Sequence, residues 1–204
     1  MAATEITHLA EDQVEEAGDM LGRAFFDNPM ALYLLPDAAT RMQPLSWMFG
    51  VTARYGHLYG EVYTTAGLDG AAIWLTPDTP AMSGETIAAA GMMEMPQQLG
   101  AEPFQRTMVK KRYFDELRER DASERHWYLW TLGVDPPRQG QGVGSALLRP
   151  VLSRADAEGL PCYLEADKAK NVPFYEMHGF EVVEEGDLPG GGLHYWTMKR
   201  PPRR

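Results

Sequence analysis

Apolar positions along the chain recur at two spacings, and these divide it into helices and strands. Val14, Ala17, Met20, Leu21, Ala24 and Phe25 stand three or four residues apart, which predicts a helix over residues 11–26 ended by Asp27-Asn28-Pro29. Met42, Leu45, Met48, Phe49, Thr52 and Tyr55 repeat that spacing in residues 38–59, and Leu147, Leu148, Val151, Leu152 and Ala155 repeat it in residues 144–159. A short helix is expected over residues 172–178. Strands are predicted at residues 6–9, 127–134, 161–165, 180–184 and 194–199. Residues 61–66 and 70–75 read as a hairpin turned by Gly67-Leu68-Asp69-Gly70. Residues 81–125 are expected to be helical, although Pro96 and Pro103 interrupt them and Phe104, Met108, Phe114 and Leu117 share no single stripe.

No repeat or linker divides the 204 residues, so a single unit over 1–204 is expected, with 81–125 as a helical insertion and 200–204 as a frayed basic tail. Nineteen Lys and Arg against 29 Asp and Glu give a net charge of −10, which disfavours a nucleic-acid partner. The one cysteine, Cys162, leaves no disulfide framework and no Cys-based metal site, and no two histidines stand at ligand spacing, so no metal is expected. The apolar runs fall short of the roughly 18 residues a membrane span needs. No membrane partner is expected, and a cytoplasmic protein is the working frame.

The chemistry concentrates where the strand at 127–134 runs into Arg138-Gln139-Gly140-Gln141-Gly142-Val143-Gly144-Ser145 and then into an apolar helix. Such a loop aims free backbone N–H groups and the positive end of a helix dipole at one spot, and glycine lets a phosphate approach the backbone. A phosphate-bearing cofactor follows. A nucleotide P-loop is excluded because no lysine lies between Lys111 and Lys168. A dinucleotide fingerprint is one residue out of register at Gly140, Gly142 and Gly144, and the 60 residues after Gly144 are too few for the rest of such a fold.

The spacing of Gln139, Gly142 and Gly144 resembles the coenzyme A pyrophosphate loop of the GNAT acetyltransferase superfamily. Trp130-Thr131-Leu132-Gly133-Val134-Asp135-Pro136 upstream is similar to that family's fourth strand. Asn171-Val172-Pro173-Phe174-Tyr175-Glu176-Met177-His178-Gly179-Phe180 downstream is similar to its Asn…Phe-Tyr-x-x-x-Gly-Phe segment. Over the whole chain the layout resembles the puromycin N-acetyltransferase branch, through Ala24-Phe25-Phe26-Asp27-Asn28-Pro29, Ala71-Ala72-Ile73-Trp74-Leu75-Thr76-Pro77 and Leu164-Glu165-Ala166.

The resemblance implies an α/β fold, a mixed and mostly antiparallel sheet of six or seven strands flanked by helices, with a splayed parallel pair at the coenzyme A cleft. It implies an acetyl-CoA-dependent N-acetyltransferase in which a small-molecule primary amine attacks the thioester directly. Leu132, Gly133 and Val134 would pair with the pantetheine arm, and Gln139, Gly140, Gln141, Gly142, Val143, Gly144 and Ser145 would hold the pyrophosphate. Arg138 adds a charge there or is simply solvated. Asn171 would touch the arm while capping the helix after it.

Tyr175 stands where the family places the acid that protonates the leaving thiolate, and a tyrosine keeps its proton at neutral pH. Glu165 is either the base for the amine or a carboxylate held by neighbouring backbone. Phe26, Asp27 and Tyr33 would flank the acceptor, with a helix-ending role explaining Asp27 equally well. Met82, Met92, Met93 and Met95 supply either an adaptable acceptor wall or ordinary core. A non-catalytic acyl-CoA-binding module is the rival reading, and both monomer and homodimer are compatible with the sequence.

Overall fold

The computed structural model describes residues 4–203. Seven strands form one sheet: β1 (Ile6–His8), β2 (Glu61–Thr65), β3 (Gly70–Leu75), β4 (Trp127–Val134), β5 (Cys162–Ala166), β6 (Glu181–Asp187) and β7 (His194–Arg200). Their spatial order is β1-β2-β3-β4-β5-β7-β6, and every neighbouring pair is antiparallel except β4 with β5. The helices are α1 (Val14–Phe25), α2 (Pro29–Leu34), α3 (Met42–Tyr59), α4 (Gly84–Ala89), α5 (Met95–Leu99), α6 (Ala101–Asp121), α7 (Val143–Glu158) and α8 (Val172–Met177). Among the described residues no helix is long and apolar enough to cross a membrane.

Alternation along the strands sorts the side chains into two cores. In β3, Ala71 and Ile73 face α1, α3 and the helices of residues 81–125, while Ala72 and Trp74 face α7 and α8. Helices α1 and α3 cross closely because the contact is built from Gly18, Gly22, Ser46 and Gly50. A Cβ on Gly18 would stand 2.7 Å from the Gly50 Cα.

The split in the sheet has a local cause. Strand β4 pairs with β5 only through Trp127, Tyr128 and Leu129. At that point β4 carries one residue more than its other neighbour, since Trp74 pairs with Leu129 and Ile73 with Thr131, leaving Trp130 as a bulge. The bulge shifts the phase of the strand. Trp127 and Leu129 pack toward α7 before it, and Leu132 and Val134 do so after it. Beyond the bulge Asp135 N–H bonds to the Asp69 carbonyl on the β3 side. By alternation the backbone groups of Leu132 and Val134 therefore face the opposite edge, where β5 has diverged.

Two elements differ from the expectations above. Asn28 does not simply end α1; its side-chain oxygen accepts the Met30 N–H at 2.8 Å and caps the new helix α2, with Pro29 in its first turn. That six-residue helix is too short for periodicity to show. The tail is also not frayed at its start. Arg200 pairs with Cys162 in register, is 3% exposed, and donates two 2.7 Å hydrogen bonds to Asp156 and one to the His178 carbonyl. Arg203 N–H also bonds Asp156, and Arg204 lies outside the described residues.

The guanidinium holds the Asp156 carboxyl below its usual range, so this pair stabilises the fold above the unfolded carboxylate pKa and is lost as pH falls through the lower folded one. Asp156→Ala is expected to cost about 2–3 kcal/mol in urea unfolding at pH 7, because it strands a buried cation beside a partner only partly shielded from water. The deficit should shrink as the pH is lowered from the unfolded carboxylate value through the lower folded one.

Candidate active site

The glycine loop is shaped by its backbone. Gly140 and Gly142 have φ of +73° and +84°, the left-handed region that L side chains resist, and nothing lies within 4 Å of where a Cβ on either would stand. The first helical bond of α7 runs from Ala146 N–H to the Gly142 carbonyl, so the N–H groups of residues 140–145 donate to nothing among the described residues. The loop is braced from behind: Gln139 Nε2 donates to the Val134 carbonyl at 3.0 Å and Gln141 Nε2 to the Pro137 carbonyl at 2.9 Å.

Six unpaired donors, open space and the positive end of a 16-residue helix form an anion cradle. Arg138 is paired with Asp69 through bonds of 2.8 and 3.1 Å, which leaves its charge largely neutralised. Gly144 packs closely: a Cβ there would stand 3.3 Å from the tip of the Phe174 ring, which would have to give by a few tenths of an ångström.

On the other side of the sheet's split lies a cleft of about 1080 Å³, reached by Leu132, Asn171 and Tyr175 from the side of the glycine loop and by Glu165 from β5. Glu165 is the first residue past the last β4–β5 pair, which puts its carboxyl in the mouth of the split. No backbone group among the described residues holds it. Instead Tyr128 O–H donates to Oε2 at 2.7 Å, and Oε1 is buried without a hydrogen-bond partner among the described residues. Burial raises its pKa to about 6, against the opposing Tyr128 hydrogen bond and the charges of Arg118 and Lys110. A carboxylate with that value is mostly ionised at pH 7 yet basic enough to take a proton.

Tyr175 is 8% exposed, and its hydroxyl makes no hydrogen bond among the described residues. Burial pushes its pKa further above the ordinary tyrosine value, so the group stays a proton donor. Asn171 lines the cleft but does not cap α8. A 3-10 turn over Ala169–Asn171 gives it helical backbone angles, from which its side chain makes no cap bond. Cys162 is fully buried and its thiol is pushed up to about 12 by burial, which leaves it unreactive.

The acceptor candidates from the first turns separate. Phe26 packs under the Arg41 guanidinium, 5.0 Å from its ring centroid, and Asp27 is exposed; their neighbours Phe25 and Asn28 line the cleft. Tyr33 sits in a different surface hollow, with Arg106 and Gly192. Met82, Met92, Met93 and Met95 all line the cleft.

Sequence reasoning did not reach Asp167, Tyr128, Arg118 or Lys110. Asp167 accepts from Asn28 Nδ2 at 2.9 Å and from Met30 N–H at 3.2 Å, tying α2 to the segment after β5. Arg118 stacks 4.3 Å from the Tyr128 ring and bonds Asp115. Asn28-Pro29 is a local signal for Asp167 alone.

The family profile described as Acetyltransferase (GNAT) family matches residues 68–180. An uncharacterized N-acetyltransferase of Schizosaccharomyces pombe is 30% identical over 181 residues, covering 81% of this chain and 70% of that protein. The chain belongs to the GNAT family and is an acetyltransferase. A mycothiol acetyltransferase of Streptomyces coelicolor is 40% identical over 70 residues, 33% of this chain and 22% of that one. Among solved structures, a histone acetyltransferase HPA2 and related acetyltransferase of Corynebacterium glutamicum superposes with TM-score 0.69 at 21% identity, covering 99% of this chain and 98% of that one. Arylalkylamine N-acetyltransferase 2 of Aedes aegypti superposes with TM-score 0.62 at 14% identity, covering 98% and 99%. At those identities the likeness is one of fold.

Proposed function

We propose that the protein transfers the acetyl group of acetyl-CoA to a primary amine of a small molecule, by direct attack of the amine on the thioester. The observation that carries this reading is the run of six unpaired N–H groups at the mouth of α7, beside a strand gap whose far end opens on the free Glu165 oxygen. Residues fit the cofactor that the family uses: the 140–145 amides suit a pyrophosphate, and the outward-facing backbone of Leu132 with the Val134 N–H suits an amide-bearing arm, the Val134 carbonyl being held by Gln139. Acetyl-CoA supplies an acyl group already activated as a thioester.

Within this reading Glu165 removes the proton that the amine carries at neutral pH, and Tyr175 provides a proton at its hydroxyl for the departing sulfur. Residues 81–125 shape the acceptor side of a single unit spanning the chain. The apolar lining of the cleft supports a small acceptor over a protein segment.

The test is release of free thiol from acetyl-CoA in the presence of a panel of primary amines. Release that depends on the amine is expected. Tight acyl-CoA binding with no release above hydrolysis for any amine would instead favour a binding module.

A further inference from the structure

The charges around the cleft are nearly all committed to partners within the protein. Asp115 is bridged to Lys111 and Arg118, Asp167 holds Asn28 and the Met30 amide, and Arg125 pairs with Asp78. Three lining groups differ: Glu119, which is exposed to solvent, and two that are not. Glu165 keeps one buried oxygen without a partner. Lys110, on the cleft side of α6, has no hydrogen bond or ion pair among the described residues; its ammonium rests 4.9 Å from the Phe114 ring centroid.

Glu165 and Lys110 influence each other's ionisation, yet no ion pair joins them. A free anion and a free cation that share one cleft without touching suit a ligand carrying the opposite pair. The surrounding wall is apolar, with Met92, Met95, Phe104, Phe114 and Trp130 among its residues.

From this arrangement we infer that the acceptor is an apolar amino acid: its amine meets Glu165, its carboxylate meets Lys110, and its side chain fills the methionine and aromatic wall. Lys110 is thus a specificity-determining residue. The inference rests on the transferase reading above and adds the chemical class of the acceptor to it. The reaction balances as an acetyl transfer. Glu165 takes the ammonium proton, the freed amine nitrogen bonds the acetyl carbon and the carbon–sulfur bond breaks; Tyr175 gives the departing sulfur its proton and regains one from the second proton that the nitrogen sheds as the amide forms.

The experiment compares L-phenylalanine, its primary amide and 2-phenylethylamine as acceptors, by thiol release, in the wild-type protein and in Lys110→Met and Lys110→Arg. L-Phenylalanine is expected to exceed the other two in kcat/KM by about tenfold or more, because a half-buried cation left unpaired penalises an acceptor without the matching anion. The preference should collapse to about twofold or less in Lys110→Met, and Lys110→Arg should restore part of it.

Equal use of the amide or of 2-phenylethylamine by the wild type would overturn the inference. So would a preference that survives Lys110→Met. Absence of release with all three also overturns it, and acetyl-CoA calorimetry on the same preparation then separates the cases. Retained binding leaves only the acceptor class refuted, whereas no binding refutes the transferase reading as well.

Discussion

Glu165→Gln is expected to lower kcat/KM for amine acetylation by about a hundred- to a thousandfold, the range that loss of a positioned general base produces. The substitution keeps the size of the side chain and an oxygen that can still accept from the Tyr128 hydroxyl, so the fold should persist. What it removes is the proton-accepting oxygen in the mouth of the strand split. Because burial raises the Glu165 pKa to about 6, the base form fills as pH rises through that value. Wild-type kcat/KM should therefore climb below about pH 6 and lose this dependence above it. Ionisation of the amine itself adds a slope common to both proteins, and the ratio of the two pH profiles isolates the carboxyl. A ratio that stays flat across pH 5–8 would assign Glu165 a structural role.

Tyr175→Phe should reduce kcat by about a hundredfold while leaving acetyl-CoA affinity within about threefold, since it deletes a proton donor and retains the ring. That ring packs edge-on against Phe174 and Phe180, at centroid distances of 5.2 and 5.9 Å, and phenylalanine can make the same contacts. Stopped-flow turnover and equilibrium binding measured on one preparation separate the two effects. A large loss of affinity with kcat preserved would mean that the hydroxyl serves cofactor binding instead.

Much of this architecture is legible in the order of residues, for physical reasons that differ by element. Strand β4 shows because its aromatic, leucine and β-branched residues pack on both faces, and α7 because its apolar stripe faces the sheet. The cradle shows because positive φ at Gly140 and Gly142 admits few residues besides glycine. Glu165 and Tyr175 are visible through their places at the end of a strand and in a short helix.

The cleft side of the sheet is not visible in this way. Tyr128 meets Glu165 only because β4 and β5 run parallel, across 37 positions of sequence. Lys110 reaches the cleft from α6, whose apolar residues form no regular stripe because much of one face borders the cleft and not a core. Arg200 looked like the start of a basic tail; its burial depends on Asp156 in α7, 44 positions away. Side chains that meet across such distances leave no periodic trace.

Everything proposed here depends on the main-chain cradle at the start of α7, and titration calorimetry with three ligands tests it most directly. Acetyl-CoA and 3′-dephospho-CoA, which both carry the pyrophosphate, should bind with comparable heats. Pantetheine, which lacks it, should bind about a hundredfold more weakly or not at all, since several charge-assisted hydrogen bonds are forfeited. Equal affinity for pantetheine, or no binding of acetyl-CoA, would contradict the account.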